Sequence, residues 1–252
     1  MNPTEEYIAA RDKQVRQNIA ELNNPNYGYD DRQTNAGRIA DFTEYLVKTN
    51  YTKNFTWAGI PIIQYATDLM VMQEIIWQVR PEWIIECGLA FGGMTAFYAT
   101  MLDFMGHGYV LGIDIDIREH TRKALLHPRI ALKQSSSIDE GLIKTVRELV
   151  QGTTVLVALD SCHSHIHVLK ELELYAPLVS VGSYIVVFDT AIEFYHHLDK
   201  AQDRPWGNGN SPYTAVQAFL KTEMGQNFVV DREVEMRALI TAAPGGFLQR
   251  IK

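Results

Sequence analysis

The 252-residue chain is 46% hydrophobic and 21% charged, the balance of an ordinary globular protein with enough length for one large domain and a substantial core. Its 23 Lys and Arg against 30 Asp and Glu leave a net charge of -7, which argues against a nucleic-acid partner, because displacing counterions from phosphates needs a basic surface; small neutral or cationic ligands fit better. Two cysteines make neither a disulfide framework nor a zinc set, the N-terminus lacks a basic-then-apolar leader pattern, and no uncharged apolar run reaches the ~18 residues of a membrane span, so a cytoplasmic protein without a membrane partner is expected.

Along the chain, Ile8, Val15, Ile19 and Leu22 fall at helical spacing within residues 5–22, and Asn23 to Asp31, with Tyr27 and Tyr29, reads as an irregular loop. A second helix is predicted over Asn35 to Lys48. Residues 1–56 are thus expected to form an N-terminal helical arm, separate from a main domain over 57–252 and suited to packing on a second copy in a homo-oligomer. After Trp57 to Gln64 an amphipathic helix is predicted from Ala66 to Val79, stopped by Pro81. Strands and helices then alternate: strand Trp83 to Cys87, helix Met94 to Met105, strand Tyr109 to Ile113, helix Arg118 to Leu126 and strand Ile130 to Lys133. Helix Ile138 to Val150, strand Thr154 to Leu159, helix His165 to Tyr175 and strand Ser183 to Val187 continue the pattern. Short β-branched strands separated by helices imply an α/β fold, a doubly wound and mostly parallel sheet covered on both faces. Thr190 to Pro212 is too long for an ordinary connection and reads as a lid, a substrate loop or a disordered insertion. Helix Tyr213 to Thr222 follows, and strand-like Phe228 to Val230, Ala238 to Thr241 and Phe247 to Arg250 suggest an antiparallel closing ribbon.

Ligands of an open parallel sheet bind beyond the carboxyl ends of its strands, where the strand order reverses. Glu86 lies at the end of the first such strand, and Asp114, Asp160 and Asp189 each follow a later one, a repetition that favours function over solvated loop acids. After Glu86 the chain runs Gly88-Leu89-Ala90-Phe91-Gly92-Gly93 into a helix. A dinucleotide fingerprint has glycine where Ala90 stands, so that backbone can approach a pyrophosphate; a dinucleotide stays open, but S-adenosylmethionine, which has no phosphate, suits the turn better. Small residues would pass beneath its methionine moiety while Asp114 accepts hydrogen bonds from the ribose. Asp116 is a weaker substitute, well explained as a helix N-terminal acid. The second focus is Asp160-Ser161-Cys162-His163-Ser164-His165-Ile166-His167, in which Asp160 suits a hard cation and His163 suits the general base for a hydroxyl beside it. His163 and His167 on one helix face would make a zinc pair, a weaker reading than capping or exposed histidines.

Glu74 to Pro81 running into Ile84 to Gly93, then Gly112-Ile113-Asp114, Leu159 to His163, and Gly182 to Asp189 together resemble the cephalosporin hydroxylase family. Despite its name, that family looks like a branch of S-adenosylmethionine-dependent O-methyltransferases that includes rhamnosyl and macrolide-sugar enzymes. The resemblance spans roughly Trp57 to Lys252 and implies a seven-stranded, Rossmann-like class I methyltransferase fold. It also implies a divalent cation, usually Mg2+, held by the acid after the fourth strand and an acid pair after the fifth, here Asp160 and then Phe188-Asp189. Phe188 removes one ligand of that chelate, and Glu193 is the candidate to compensate. His163 matches the general base of sugar-modifying relatives, and Ser136 falls where the family often has an acid near adenine or ribose.

The implied reaction is transfer of the sulfonium methyl group to a hydroxyl of a sugar or glycosylated small molecule. His163 and Asp160 would be catalytic, Glu86, Gly88, Ala90, Gly92, Asp114, Ser136 and Asp160 would bind the cofactor, and Asp160 and Asp189 would bind the metal. Trp206 is a candidate to stack on the sugar ring. The rival readings are a non-catalytic S-adenosylmethionine-binding partner protein, a nicotinamide-dependent oxidoreductase, and a hydroxylase, for which no clear facial triad is present.

Overall fold

A computed structural model of the chain describes residues 3–22, 35–198 and 204–252; the expected loop Asn23 to Asp31 lies outside the described residues. Helices α1 (Pro3–Leu22) and α2 (Asn35–Lys48) precede an antiparallel hairpin of β1 (Phe55–Trp57) and β2 (Ile60–Ile62), which the sequence pattern did not announce. There follow α3 (Ala66–Val79), β3 (Trp83–Cys87), α4 (Gly93–Met105), β4 (Tyr109–Asp114), α5 (Glu119–Ala124), β5 (Ile130–Gln134) and α6 (Glu140–Leu149). The chain continues through β6 (Val155–Leu159), α7 (His165–Tyr175), β7 (Tyr184–Val187), α8 (Ile192–Tyr195), α9 (Pro212–Phe219), β8 (Phe228–Val230), α10 (Arg232–Ala238) and β9 (Phe247–Arg250).

Strands β3 to β9 form one seven-stranded sheet in the order β5-β4-β3-β6-β7-β9-β8. The first five in that order pair in parallel, and β9 runs antiparallel to both β7 and β8. This is the doubly wound sheet with the closing ribbon that the alternation predicted. Its strands are apolar on both faces because helices cover both. Ile84, Val110, Leu156 and Val186 point to the side of α3 and α4, whereas Ile85, Leu111, Val157 and Ile185 point to the side of α6, α7 and α9.

Three regions depart from expectation. The strand expected over Ala238 to Thr241 is instead the end of α10 and a turn. Asp231 caps that helix by accepting from the Glu233 and Val234 amides at 3.0 Å, and Leu239, at φ 59°, then reverses the chain. The long segment after Asp189 is not wholly irregular, since it contains α8, a 3-10 turn at His196–Leu198 and a bridge between Gly207 and Asn210. Finally, the N-terminal helices touch the main domain: α1 packs on α10, the Arg11 guanidinium donates to Glu74 on α3 at 2.9 Å, and α2 buries Leu46 in the core cluster on the α3 side. Among the described residues no helix is long and apolar enough to cross a membrane.

Candidate active site

From β3 the chain moves outward to β4 and β5, then returns to place β6 on the other side of β3, so the strand order reverses between β3 and β6. The loops leaving these two strands meet there. Gly88 has φ 91°, and a Cβ on it would lie 2.1 Å from the Asp160 carbonyl oxygen, so only glycine lets them touch. The Asp160 amide donates to the Cys87 carbonyl at 2.7 Å, which keeps the contact in register. Ala90, in the place of a fingerprint glycine, adopts φ 46°, a left-handed conformation of the kind concentrated at ligand sites.

A cavity of about 850 Å³ opens over this point, within the range of a small-molecule site. Gly88, Ala90, Asp114, Ser136, Asp160, His163 and Asp189 all line it. Two residues assigned to the cofactor from sequence do not. Gly92 is the N-cap of α4, at φ 91°, packed against Leu125. Glu86 is 3% exposed and lies beneath the turn, facing a separate pocket of about 30 Å³, where its Oε2 accepts from Thr95 Oγ1 at 2.5 Å. Burial pushes the Glu86 carboxyl up to about 8, with the Asp114 charge adding to the rise and the Thr95 bond opposing it.

Asp114 ends β4 and ties the turn after β3 to the loop after β4. Its Oδ2 accepts from the Leu89 amide at 2.8 Å and its Oδ1 from the Asp116 amide at 3.0 Å, which fixes the carboxylate while leaving lone pairs for a hydroxyl donor. Asp116 pairs with Arg118 at 3.6 Å and does not line the cavity. His167 does, with Ser137, but its Nε2 is 3.1 Å from Ser137 Oγ, 3.2 Å from Ser161 Oγ and 3.4 Å from the buried Glu171 Oε1. It therefore belongs to a polar wall and forms no zinc pair with His163. His165 bonds Thr214 at 2.8 Å, and the His196 side chain lies outside the described residues.

On the far side, Asp160, His163 and Asp189 each offer an atom, all within 4.8 Å of one another. His163 Nε2 stands 3.2 Å from Asp189 Oδ2. Asp189 has φ 56°, which turns its carboxylate into the cavity while the preceding Phe188, 1% exposed, enters the core. Burial, and next the Asp189 charge, push the Asp160 carboxyl well above the usual carboxylate range, so positive charge placed here would favour both ionised acids. Two carboxylates and one imidazole nitrogen fit a divalent cation, although with fewer oxygens than the acid pair would supply. Glu193 does not replace the lost acid. Its oxygens accept from the Gly209 amide, Asn208 Nδ2 and, at 2.6 Å, Ser211 Oγ, and so fasten the segment after Trp206. Trp206 meets the His163 ring edge-on, 5.1 Å between centroids, and Arg204 lies 5.4 Å over the indole. Lys48, Lys53 and Tyr65 also line the cavity, and no motif in the sequence marks them.

The family described as Rhamnosyl O-methyltransferase/CmcI matches residues 49–251. This chain belongs to that family. Similar proteins named rhamnosyl O-methyltransferase include one from Mycobacterium tuberculosis (strain ATCC 25618 / H37Rv), 31% identical over 198 residues that cover 77% of this chain and 78% of that protein. Another, from Mycobacterium leprae (strain TN), is 30% identical over 77% of this chain and 82% of that protein. The solved structure of CmcI with Mg and SAM shares the fold, with a TM-score of 0.54 and 20% identity over 79% of this chain and 78% of that one. The family match begins where α2 has just ended, so α1 and α2 precede the shared part.

Proposed function

We propose that the chain is an S-adenosylmethionine-dependent O-methyltransferase acting on a hydroxyl of a sugar or a glycosylated small molecule. The observation that carries this reading is the 850 Å³ cavity at the strand-order reversal of a chain from this family, lined by Asp114 and the glycine turn and by Asp160, His163 and Asp189. The residues fit the cofactor. The acids Asp114, Asp160 and Asp189 line the same cavity and suit a cationic sulfonium, while Ile113 and Ile115 offer apolar surface and Ser136 a hydroxyl toward adenine or ribose. When bound, S-adenosylmethionine supplies an electrophilic methyl group.

The chain's own residues do the rest. Asp114 receives the ribose hydroxyls, and the backbone at Gly88 and Ala90 carries the methionine portion, with Glu86 and Gly92 supporting that turn from behind. An alcohol is a weak nucleophile at neutral pH, so a base must take its proton. With Nε2–H donated to Asp189, His163 Nδ1 is the basic atom, and Asp189 stabilises the imidazolium that forms. If a divalent cation such as Mg2+ is present, Asp160 and Asp189 would hold it and it would supply charge that favours the alkoxide. Holding acceptor oxygen and methyl carbon in line in a cavity shielded by Trp206 supplies much of the remaining acceleration. The same reading puts the enzyme in the cytoplasm, in keeping with its two free thiols.

S-adenosylhomocysteine should raise the melting temperature and give a calorimetric binding isotherm; absence of both would remove the function. His163→Ala is expected to keep that binding and to lose roughly 10²–10⁴-fold in methyl transfer to an extract of glycans and nucleotide sugars, followed with labelled S-adenosylmethionine. A protein that binds the cofactor and transfers nothing would instead be the non-catalytic partner that the missing acid at Phe188 allows.

A further inference from the structure

The acids that line the cavity stand at the strand ends, and the lysines and arginine that line it come from other parts of the chain. Lys48 comes from α2, Lys53 from the 3-10 turn at Tyr51–Asn54, and Arg204 from the segment before α9. Lys48 is paired with Glu44. Among the described residues no carboxylate pairs with Lys53 or Arg204, and the contact of the Arg204 guanidinium is the face of Trp206.

These two cations share one chemical property. Lysine and arginine nitrogens only donate hydrogen bonds. Unpaired cationic donors bond an ionised, acceptor-only group more strongly than they bond the hydroxyls of a neutral sugar. Arg204 is also close to the chemistry, since it lies 5.4 Å over the Trp206 ring, whose centroid is 5.1 Å from that of His163.

Resting on the O-methyltransferase reading, we propose that the acceptor carries an oxyanion, a phosphate or a carboxylate, near the hydroxyl that is methylated, and that Arg204 and Lys53 receive it. The two substrates are then sorted by charge. The sulfonium goes to the acids at the strand ends and the anionic acceptor to these two cations, which orients the hydroxyl toward the methyl group. Because the chain as a whole is at -7, a free anion gains nothing from the long-range field and depends on this local patch.

The test uses the full chain saturated with S-adenosylhomocysteine and titrated calorimetrically with inorganic pyrophosphate, glucuronate and methyl glucoside. We expect pyrophosphate or glucuronate to bind at least tenfold more tightly than methyl glucoside, and the stronger of the two identifies the phosphate or the carboxylate source. Arg204→Gln and Lys53→Gln should each weaken that anion at least fivefold, with Arg204→Lys intermediate and S-adenosylhomocysteine affinity unchanged. Equal or tighter binding of methyl glucoside, no anion binding, or anion binding indifferent to both substitutions would overturn the proposal. Failure to bind S-adenosylhomocysteine in the first place is a failure of the methyltransferase reading and is seen separately.

Discussion

Glu86 shows how one side chain changes meaning between sequence and structure. Read along the chain it ends a strand and points to a ligand; in the fold it is a buried acid under the turn, bonded to Thr95 and held up at about 8. Asp68 on α3, also buried, is held up to about 7 by burial and bonds the Ala242 amide at 2.9 Å. Both acids keep protons in the folded state that the unfolded chain releases above its ordinary carboxyl range of 3.8 to 4.5. Their contribution is therefore full below that range and is lost as pH rises through about 7 and about 8, so folding stability should fall across this window. Urea denaturation between pH 5 and pH 9 measures it, and Glu86→Gln should flatten the slope and be the more stable protein at the alkaline end. Parallel slopes in the two proteins would remove Glu86 from the account. Ala90 was legible as a departure from a fingerprint, but its left-handed φ of 46° is a property of the turn, set where the loop passes under the cavity.

At the scale of elements, the strands and most helices were readable because β-branched runs and helical spacing are local signals. The hairpin Phe55–Trp57 with Ile60–Ile62 and the helix Arg232–Ala238 were not, since three-residue strands and a seven-residue charged helix carry too little period. The segment after β7 is the most consequential case. Glu193 reads as a spare metal ligand, yet it bonds Asn208, Gly209 and Ser211 and so fastens the residues that follow Trp206. Glu193→Ala removes these acceptors. It should raise the acceptor KM several-fold while leaving S-adenosylhomocysteine affinity within about twofold, since each lost bond to a charged group is worth about 1.5–3 kcal/mol locally and none of them touches the cofactor side. Steady-state kinetics with the identified acceptor checks this, and a changed metal requirement in that variant would restore Glu193 as a ligand.

Across the whole molecule the question is how far residues 1–48 belong to the catalytic unit. They precede the family match, yet Leu46 is 5% exposed within the core cluster and Leu46, Val47 and Lys48 line the cavity. Leu46→Ala should therefore destabilise the main domain by about 2–5 kcal/mol, as a buried leucine does, measured by urea denaturation; a loss below about 0.5 kcal/mol would mark α2 as a detachable arm. The sequence by itself determined the doubly wound sheet, the glycine turn and the acids at the strand ends, because each is a short-range pattern and strand ends in such a sheet face one side. Only the tertiary structure decided that Glu86 is a support, that Asp160, His163 and Asp189 converge while Phe188 and Glu193 turn away, and that Lys48, Lys53 and Arg204 line the same cavity. Those relations join residues far apart in the chain, and distance through space is set by packing, which no local period encodes.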